Sequence, residues 1–180
     1  YEYVFYDDKE CRDFIKKHFH KSVLHAYDAL IPGAFKADLF RYCELYINGG
    51  WWFDIDMLSV GSIDAFVRPE IEFACPRDAG IYDAPGLYQA LLGCSKLNPI
   101  LARVIREVVR TVASGGRLHG TCSLILTGPR LLGKCVAYMF PNSLSRSEGN
   151  KCWINTKTWE FGESRLSDGF CLLDKGVICI

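Results

Sequence analysis

Long apolar runs are missing from this sequence. No stretch approaches the roughly 20 consecutive apolar residues that a bilayer-spanning helix needs, and no segment has the pattern of a secretory signal. An excess of charge of one sign is missing too. The 21 acidic and 21 basic residues cancel to a formal net charge of zero, with no long single-sign run. The cationic face that nucleic acid or an anionic membrane surface requires is therefore not expected. There is no C-x-x-C pair, which excludes a zinc ribbon or a thioredoxin-type redox motif. There is no N-x-S/T sequon, internal repeat, low-complexity tract or linker either.

What remains is an ordinary globular composition. At 49% apolar and 23% charged residues over 180 positions, the chain reads as one domain able to bury a sizeable core. Its nine cysteines are an odd number, and most sit in apolar runs such as "FACP" and "VICI". Buried free thiols acting as small hydrophobes fit that placement and favour a reducing, cytoplasmic compartment. A Golgi lumen is the alternative, should a membrane anchor have been removed from the chain.

The pattern along the chain is mixed α/β. "YEYVFYD" reads as a short strand, after which Asp7 or Asp8 caps a helix through "KECRDFIKKHF". A second helical stretch covers Val23 to Leu30 and ends at Pro32. In "GAFKADLFRYCELYINGG", Phe35, Leu39, Tyr42 and Tyr46 recur near helical spacing, and Gly49 and Gly50 suit a C-terminal cap. "WWFDI", "IEFACP" and "LYQALLGC" read as strands, "NPILARVIREVVRTVA" as a helix with Pro99 near its start, and "CSLILTGPRLLGKCVAYMF" as strand, turn and helix. "CWINT", "FCLLD" and "GVICI" are late strands, the last two joined by a tight "DKG" turn. Strands alternating with helices predict a central, mostly parallel sheet flanked by helices.

The stretch "GGWWFDIDML" places two aspartates, Asp54 and Asp56, at the end of an aromatic run. A bare D-x-D says little, because chance supplies roughly 0.8 per chain at this aspartate content. Context adds more. In sheets of this class ligands bind beyond the carboxyl ends of strands. Continued strand geometry would turn both carboxylates to one side and Ile55 to the core. Two hard oxygen donors without a nearby histidine suit Mn²⁺ or Mg²⁺ that keeps positions for water and phosphate. A pair of strand-end aspartates capping a turn is the alternative, and the residues alone leave the two side by side. Asp38 and Arg41, three apart in "KADLFRY", share a helical face. They form either an exposed ion pair or, given the apolar residues around them, a buried acceptor and fixed donor fork beside the aspartates.

The block "KADLFRYCELYINGGWWFDIDML" closely resembles the signature of the DXD-containing sugar transferases, glycosyltransferase family 32, which groups initiating mannosyltransferases and capsular polysaccharide transferases and is related to the glucosylating clostridial toxins. That signature is Asp-x-x-Arg-Tyr, a helix, Gly-Gly, an aromatic run and Asp-x-Asp, here without a gap from Ala37 to Leu58. "YEYVFYDD" and "LTGPRLL" resemble two further family segments, and "QALLGCSKLNPIL" a third more loosely.

The resemblance implies a GT-A, Rossmann-like nucleotide-sugar-binding fold. It also implies transfer of a hexose from a nucleotide-diphosphate sugar to a hydroxyl of a glycan or protein acceptor, with retention of configuration. A UDP-sugar is the first expectation and a GDP-sugar the second. By the same resemblance Asp56 ligates Mn²⁺ (or Mg²⁺) directly, and Asp54 contacts the donor and reaches the metal. Asp38 and Arg41 hold the donor sugar, and Trp52 stands near the donor where the family usually has tyrosine. The family's upstream first strand and its C-terminal histidine- and tryptophan-containing segment are not matched, so residues 1–180 are expected to be a single catalytic domain lacking the first strand. A noncatalytic sugar-nucleotide or glycan-binding domain of the same fold is the second reading, and a metal-dependent phosphohydrolase the third. Gln89 reads either as a strand-packing residue or as one that approaches the donor sugar, and Thr127 and Gly128 read as shaping a strand-to-helix turn rather than contacting substrate. His119 reads as a loop or structural histidine, and Trp153 and Trp159 as core or cleft.

Overall fold

Local signals open the first helix. The Asp7 side chain accepts the backbone N–H of Glu10 at 2.7 Å, while the Glu10 carboxylate accepts that of Asp7 at 2.8 Å. This is a reciprocal cap that satisfies two otherwise orphaned donors. In the computed structural model, which describes residues 1–59, 62–63, 72–76, 86–115, 123–140, 151–155, 160–162, 171–173 and 177–179, the cap starts α1 (Asp8–His18). A ring nitrogen of His20 accepts the Ser22 N–H at the start of α2 (Lys21–Ala29). Helix α3 (Gly33–Asn48) begins after Pro32 and stops at Gly49, whose φ of +66° suits glycine. A Cβ at Gly49 would also lie 2.9 Å from the Lys96 backbone nitrogen.

The expected helix around "NPILARVIREVVRTVA" is α4 (Pro99–Ala113), with Pro99 in its first turn and the Asn98 side chain accepting the Ile100 N–H. A four-residue helix α5 (Ser123–Leu126) and α6 (Pro129–Met139) complete the helices among the described residues. The strands are β1 (Gly50–Phe53), β2 (Leu58–Ser59), β3 (Phe73–Pro76), β4 (Leu91–Cys94), β5 (Lys151–Asn155), β6 (Glu160–Gly162), β7 (Cys171–Leu173) and β8 (Val177–Cys179).

The sheet departs from expectation. Strands β1-β4-β3-β5-β6 form a five-stranded sheet in that order, and every neighbouring pair in it is antiparallel. A second sheet has the order β2-β8-β7, with β2 parallel to β8. A mostly parallel central sheet is therefore not what the described strands make. For β1 and β4 the reason lies in the connections. Gly50, where α3 hands the chain to β1, pairs with Cys94, where β4 hands it on towards α4. The Leu97 N–H donates to the Tyr46 carbonyl at 2.7 Å, tying the β4–α4 connection to the last turn of α3. Helix α3 enters β1 and α4 leaves β4 at the same end of this strand pair, so β1 and β4 run in opposite directions.

Two further expectations fail locally. Residues 1–6 form no strand, and Tyr1, Tyr3 and Phe5 are exposed. The "SLIL" segment is α5 rather than a strand, since a short apolar run does not by its periodicity distinguish the two. Strand β6 was not anticipated at all. The "DKG" turn lies outside the described residues.

One core joins the helices to one face of the sheet, with Tyr42, Phe40, Phe73, Leu92 and Leu101 among its fully enclosed side chains. On the opposite face Trp51, Phe53 and Met57 gather around Leu91. Trp51 pairs with Gly93 across β1 and β4, and its ring occupies the space that a Gly93 side chain would need. Cys11, Cys43, Cys75, Cys94 and Cys135 are free thiols, as expected; burial pushes those of Cys11 and Cys94 up to about 12 and that of Cys135 up to about 11. No helix among the described residues is long and apolar enough to cross a membrane.

Candidate functional site

The two carboxylates at the end of β1 do not continue the strand. The Asp54 N–H still donates to the Ala90 carbonyl at 2.9 Å, extending the β1–β4 ladder by one step. The chain then turns, with the Met57 N–H donating to the Asp54 carbonyl at 3.0 Å. Ile55, at the tip, is 91% exposed, so the expectation that it faces the core is corrected: a turn abolishes the alternation that a strand imposes. Asp56 is exposed beside it, whereas Asp54 is partly buried.

Helix α3 supplies what Asp54 meets. Asp38 and Arg41, three residues apart on that helix, are each only 5% exposed, so their pair is not a solvated one. Arg41 Nη2 lies 3.1 Å from Asp38 Oδ1, and Nη1 lies 2.9 Å from Asp54 Oδ1. Nη1 also donates to the Gln89 carbonyl at 2.9 Å. The guanidinium thus bridges the helix aspartate and the strand-end aspartate. Its Nε is buried and has no hydrogen-bond partner among the described residues. The Trp52 indole N–H donates to Asp54 Oδ1 at 2.8 Å, and the Arg41 guanidinium lies over the Trp52 ring at 5.3 Å. All the contacts Asp54 makes with described side chains therefore fall on one carboxylate oxygen.

Asp38 is held from two further directions. Gln89 Nε2 donates to its Oδ1 at 2.5 Å, and Thr127 Oγ1 donates to its Oδ2 at 2.7 Å. The Tyr42 hydroxyl lies within hydrogen-bonding reach of the Gln89 side-chain oxygen and, at 2.8 Å, of the Thr127 carbonyl. Burial raises the Asp38 carboxyl to about 6 even though the Arg41 charge and the bonds from Thr127 and Gln89 pull it down, and the nearby Asp54 charge adds to the rise. Desolvation thus outweighs pairing.

Asp38, Arg41, Trp52 and Asp54 are thereby brought into one cluster, with Asp56 on the turn two residues beyond it. Gln89 and Thr127 belong to the cluster, although by sequence Gln89 reads equally as strand packing and Thr127 as a turn residue. The one available signal was Tyr42: a tyrosine on a buried helical face needs a partner for its hydroxyl. His119, Trp159 and the side chain of Trp153 lie outside the described residues. No group of three or more candidate metal ligands occurs among the described residues. The donor set at the turn is two carboxylates: Asp56, exposed, and the oxygen of Asp54 that neither Arg41 nor Trp52 engages. Hard oxygen ligands that leave most positions open suit a small divalent cation in company with phosphates.

Known proteins give the cluster a context. Residues 1–72 match the family model described as "Glycosyltransferase sugar-binding region containing DXD motif". An uncharacterised glycosyltransferase of Acanthamoeba polyphaga mimivirus is 36% identical over 63 residues, covering 35% of this chain and 25% of that protein. Among solved structures, the PaToxG glycosyltransferase superposes with a TM-score of 0.57 over 72% of this chain and 43% of the other. At 20% identity, that likeness bears on the fold alone. The chain is thus similar to glycosyltransferases in sequence across its first 72 residues and in fold across most of its length, and it spans about a quarter of the curated relative.

Proposed function

We propose that the cluster at the end of β1 is the donor site of a metal-dependent, retaining hexosyltransferase. It would use a nucleotide-diphosphate sugar, a UDP-sugar first, and transfer the hexose to a hydroxyl of a glycan or protein acceptor. The observation that carries this reading is the Arg41 bridge. A buried guanidinium joins Asp38 to the first aspartate of the D-x-D turn and keeps one N–H without a partner among the described residues. The match of residues 1–72 to a sugar-binding region supports it.

In this reading each residue has a distinct task. Asp38, desolvated and held on three sides, accepts hydrogen bonds from sugar hydroxyls. Arg41 holds Asp38 and Asp54 in fixed positions at the donor site through its two terminal nitrogens. Trp52 presents an aromatic face beside the donor and steadies Asp54 through its indole N–H. Asp56 and the unengaged oxygen of Asp54 would hold Mn²⁺ or Mg²⁺, which when bound supplies Lewis-acid neutralisation of the charge developing on the departing diphosphate. A leaving phosphate oxygen takes the acceptor proton on the same face, which accounts for retention without a protein nucleophile. The free thiols support a reducing, cytoplasmic setting.

The test is calorimetric titration of UDP-glucose with Mn²⁺ on wild type and Asp56→Ala, followed by a UDP-release assay. Metal-dependent binding that disappears in Asp56→Ala, with UDP released by wild type, is expected. Binding without release assigns the site to a noncatalytic donor-binding domain. No binding of UDP- or GDP-sugars by wild type overturns the reading.

A further inference from the structure

Three sequence-distant segments meet on one carboxylate. Asp38 comes from α3, Gln89 from the turn before β4, and Thr127 from the turn between α5 and α6. Gln89 and Thr127 occupy both oxygens of Asp38, one each, at 2.5 and 2.7 Å. Tyr42, one helical turn beyond Asp38, meets both of those partners through its hydroxyl. Gln89 also fixes the other member of the pair, because its backbone carbonyl accepts from Arg41 Nη1. Thr127 is fully buried and Gln89 nearly so.

We infer that Gln89 and Thr127 are positioning residues for Asp38, and that they govern how the sugar of the donor is held rather than its nucleotide. The inference rests on the donor-site reading and refines it. An isolated aspartate on a helix samples several rotamers, and a carboxylate anchored at both oxygens keeps one. Arg41 alone would not achieve this. Its contact with Asp38, at 3.1 Å through Nη2, is the longest of the three, and the same guanidinium also holds Asp54 and the Gln89 carbonyl through Nη1. The neutral donors therefore set the carboxylate's orientation, and the cation balances its charge. Neither neutral donor contacts Asp54, and Asp56 lies on the exposed turn beyond it, so the diphosphate end of the site is untouched by either substitution proposed below.

The experiment compares UDP-glucose with UDP, each with Mn²⁺, by calorimetry on the 180-residue chain, with GDP-mannose and GDP as the second pair. The variants are Thr127→Val, which keeps the shape and removes the hydroxyl, Thr127→Ser, which keeps the hydroxyl, and Gln89→Leu. Thermal unfolding is recorded for each. Loss of a hydrogen bond to a charged group predicts a roughly 10- to 100-fold weaker Kd for the sugar nucleotide in Thr127→Val and Gln89→Leu. The Kd for the free diphosphate stays within about twofold, and Thr127→Ser recovers wild-type binding, because only the sugar end depends on Asp38. Equal weakening of sugar nucleotide and diphosphate would mark a general structural role and overturn the inference, leaving the donor site standing. So would unchanged binding in folded Thr127→Val, or failure of serine to restore it. Wild type that binds neither member of either pair removes the donor site and this inference together.

Discussion

Replacing Asp38 by asparagine isolates the cost of burying its charge, and the structure gives that cost a sign. The folded-state carboxyl titrates at about 6 against an ordinary value of 3.8, chiefly because burial strips it of water. A carboxyl raised in this way favours the protonated folded protein. Its contribution to stability is fully present below pH 3.8 and is lost as pH rises through about 6. About two pH units correspond to about 3 kcal/mol. Asp38→Asn carries no titrating group there. The stability of wild type minus that of the variant should therefore become less favourable by about 3 kcal/mol between pH 3.5 and 7.5, or roughly 6–12 °C in relative melting temperature for a chain of this size. The difference cancels titrating groups that do not interact with Asp38, such as Glu44, whose carboxyl is likewise raised by burial. Arg41→Met supplies a second arm. Arg41 lowers the Asp38 carboxyl, so its removal extends the window of loss above pH 6. Scanning calorimetry or chemical unfolding across pH measures both. A wild-type-minus-variant difference that is flat with pH, or that rises, would refute the reasoning.

Two other expectations concern packing. Gly93→Ala puts a methyl 2.5 Å from the Trp51 ring, so the variant should unfold about 1–3 kcal/mol more easily, with Trp51→Leu on the same chain restoring part of the loss in chemical denaturation. Cys43 is fully buried and its thiol is pushed up strongly by burial. Under native conditions it should stay unmodified by iodoacetamide at neutral pH while reacting fully in denaturant, as read by peptide mass spectrometry; rapid native labelling would contradict its place in the core.

The sequence alone determined what depends on near neighbours. The capping pair Asp7 and Glu10, the repeat of Phe35, Leu39 and Tyr42 along α3, the stop at Gly49 and the start of α4 at Pro99 are interactions within a few residues, so their signals are local and legible. The spacing of Asp38, Arg41, Trp52 and Asp54 was equally readable, because a helix, a glycine turn and a four-residue strand carry it. Strand direction was not: it depends on which helices pack together, and alternation of elements carries no record of that. The turn that exposes Ile55 was hidden because D-x-D fits a strand end as well as a strand. Only tertiary structure decided the surroundings of Asp38. Its neutral partners stand 51 and 89 residues away along the chain. Threonine before a Gly-Pro turn and glutamine before a strand are commonplace until the fold buries them against one carboxylate. A hydrogen bond across that distance forms only after the helices and sheet have packed, so no local pattern announces it.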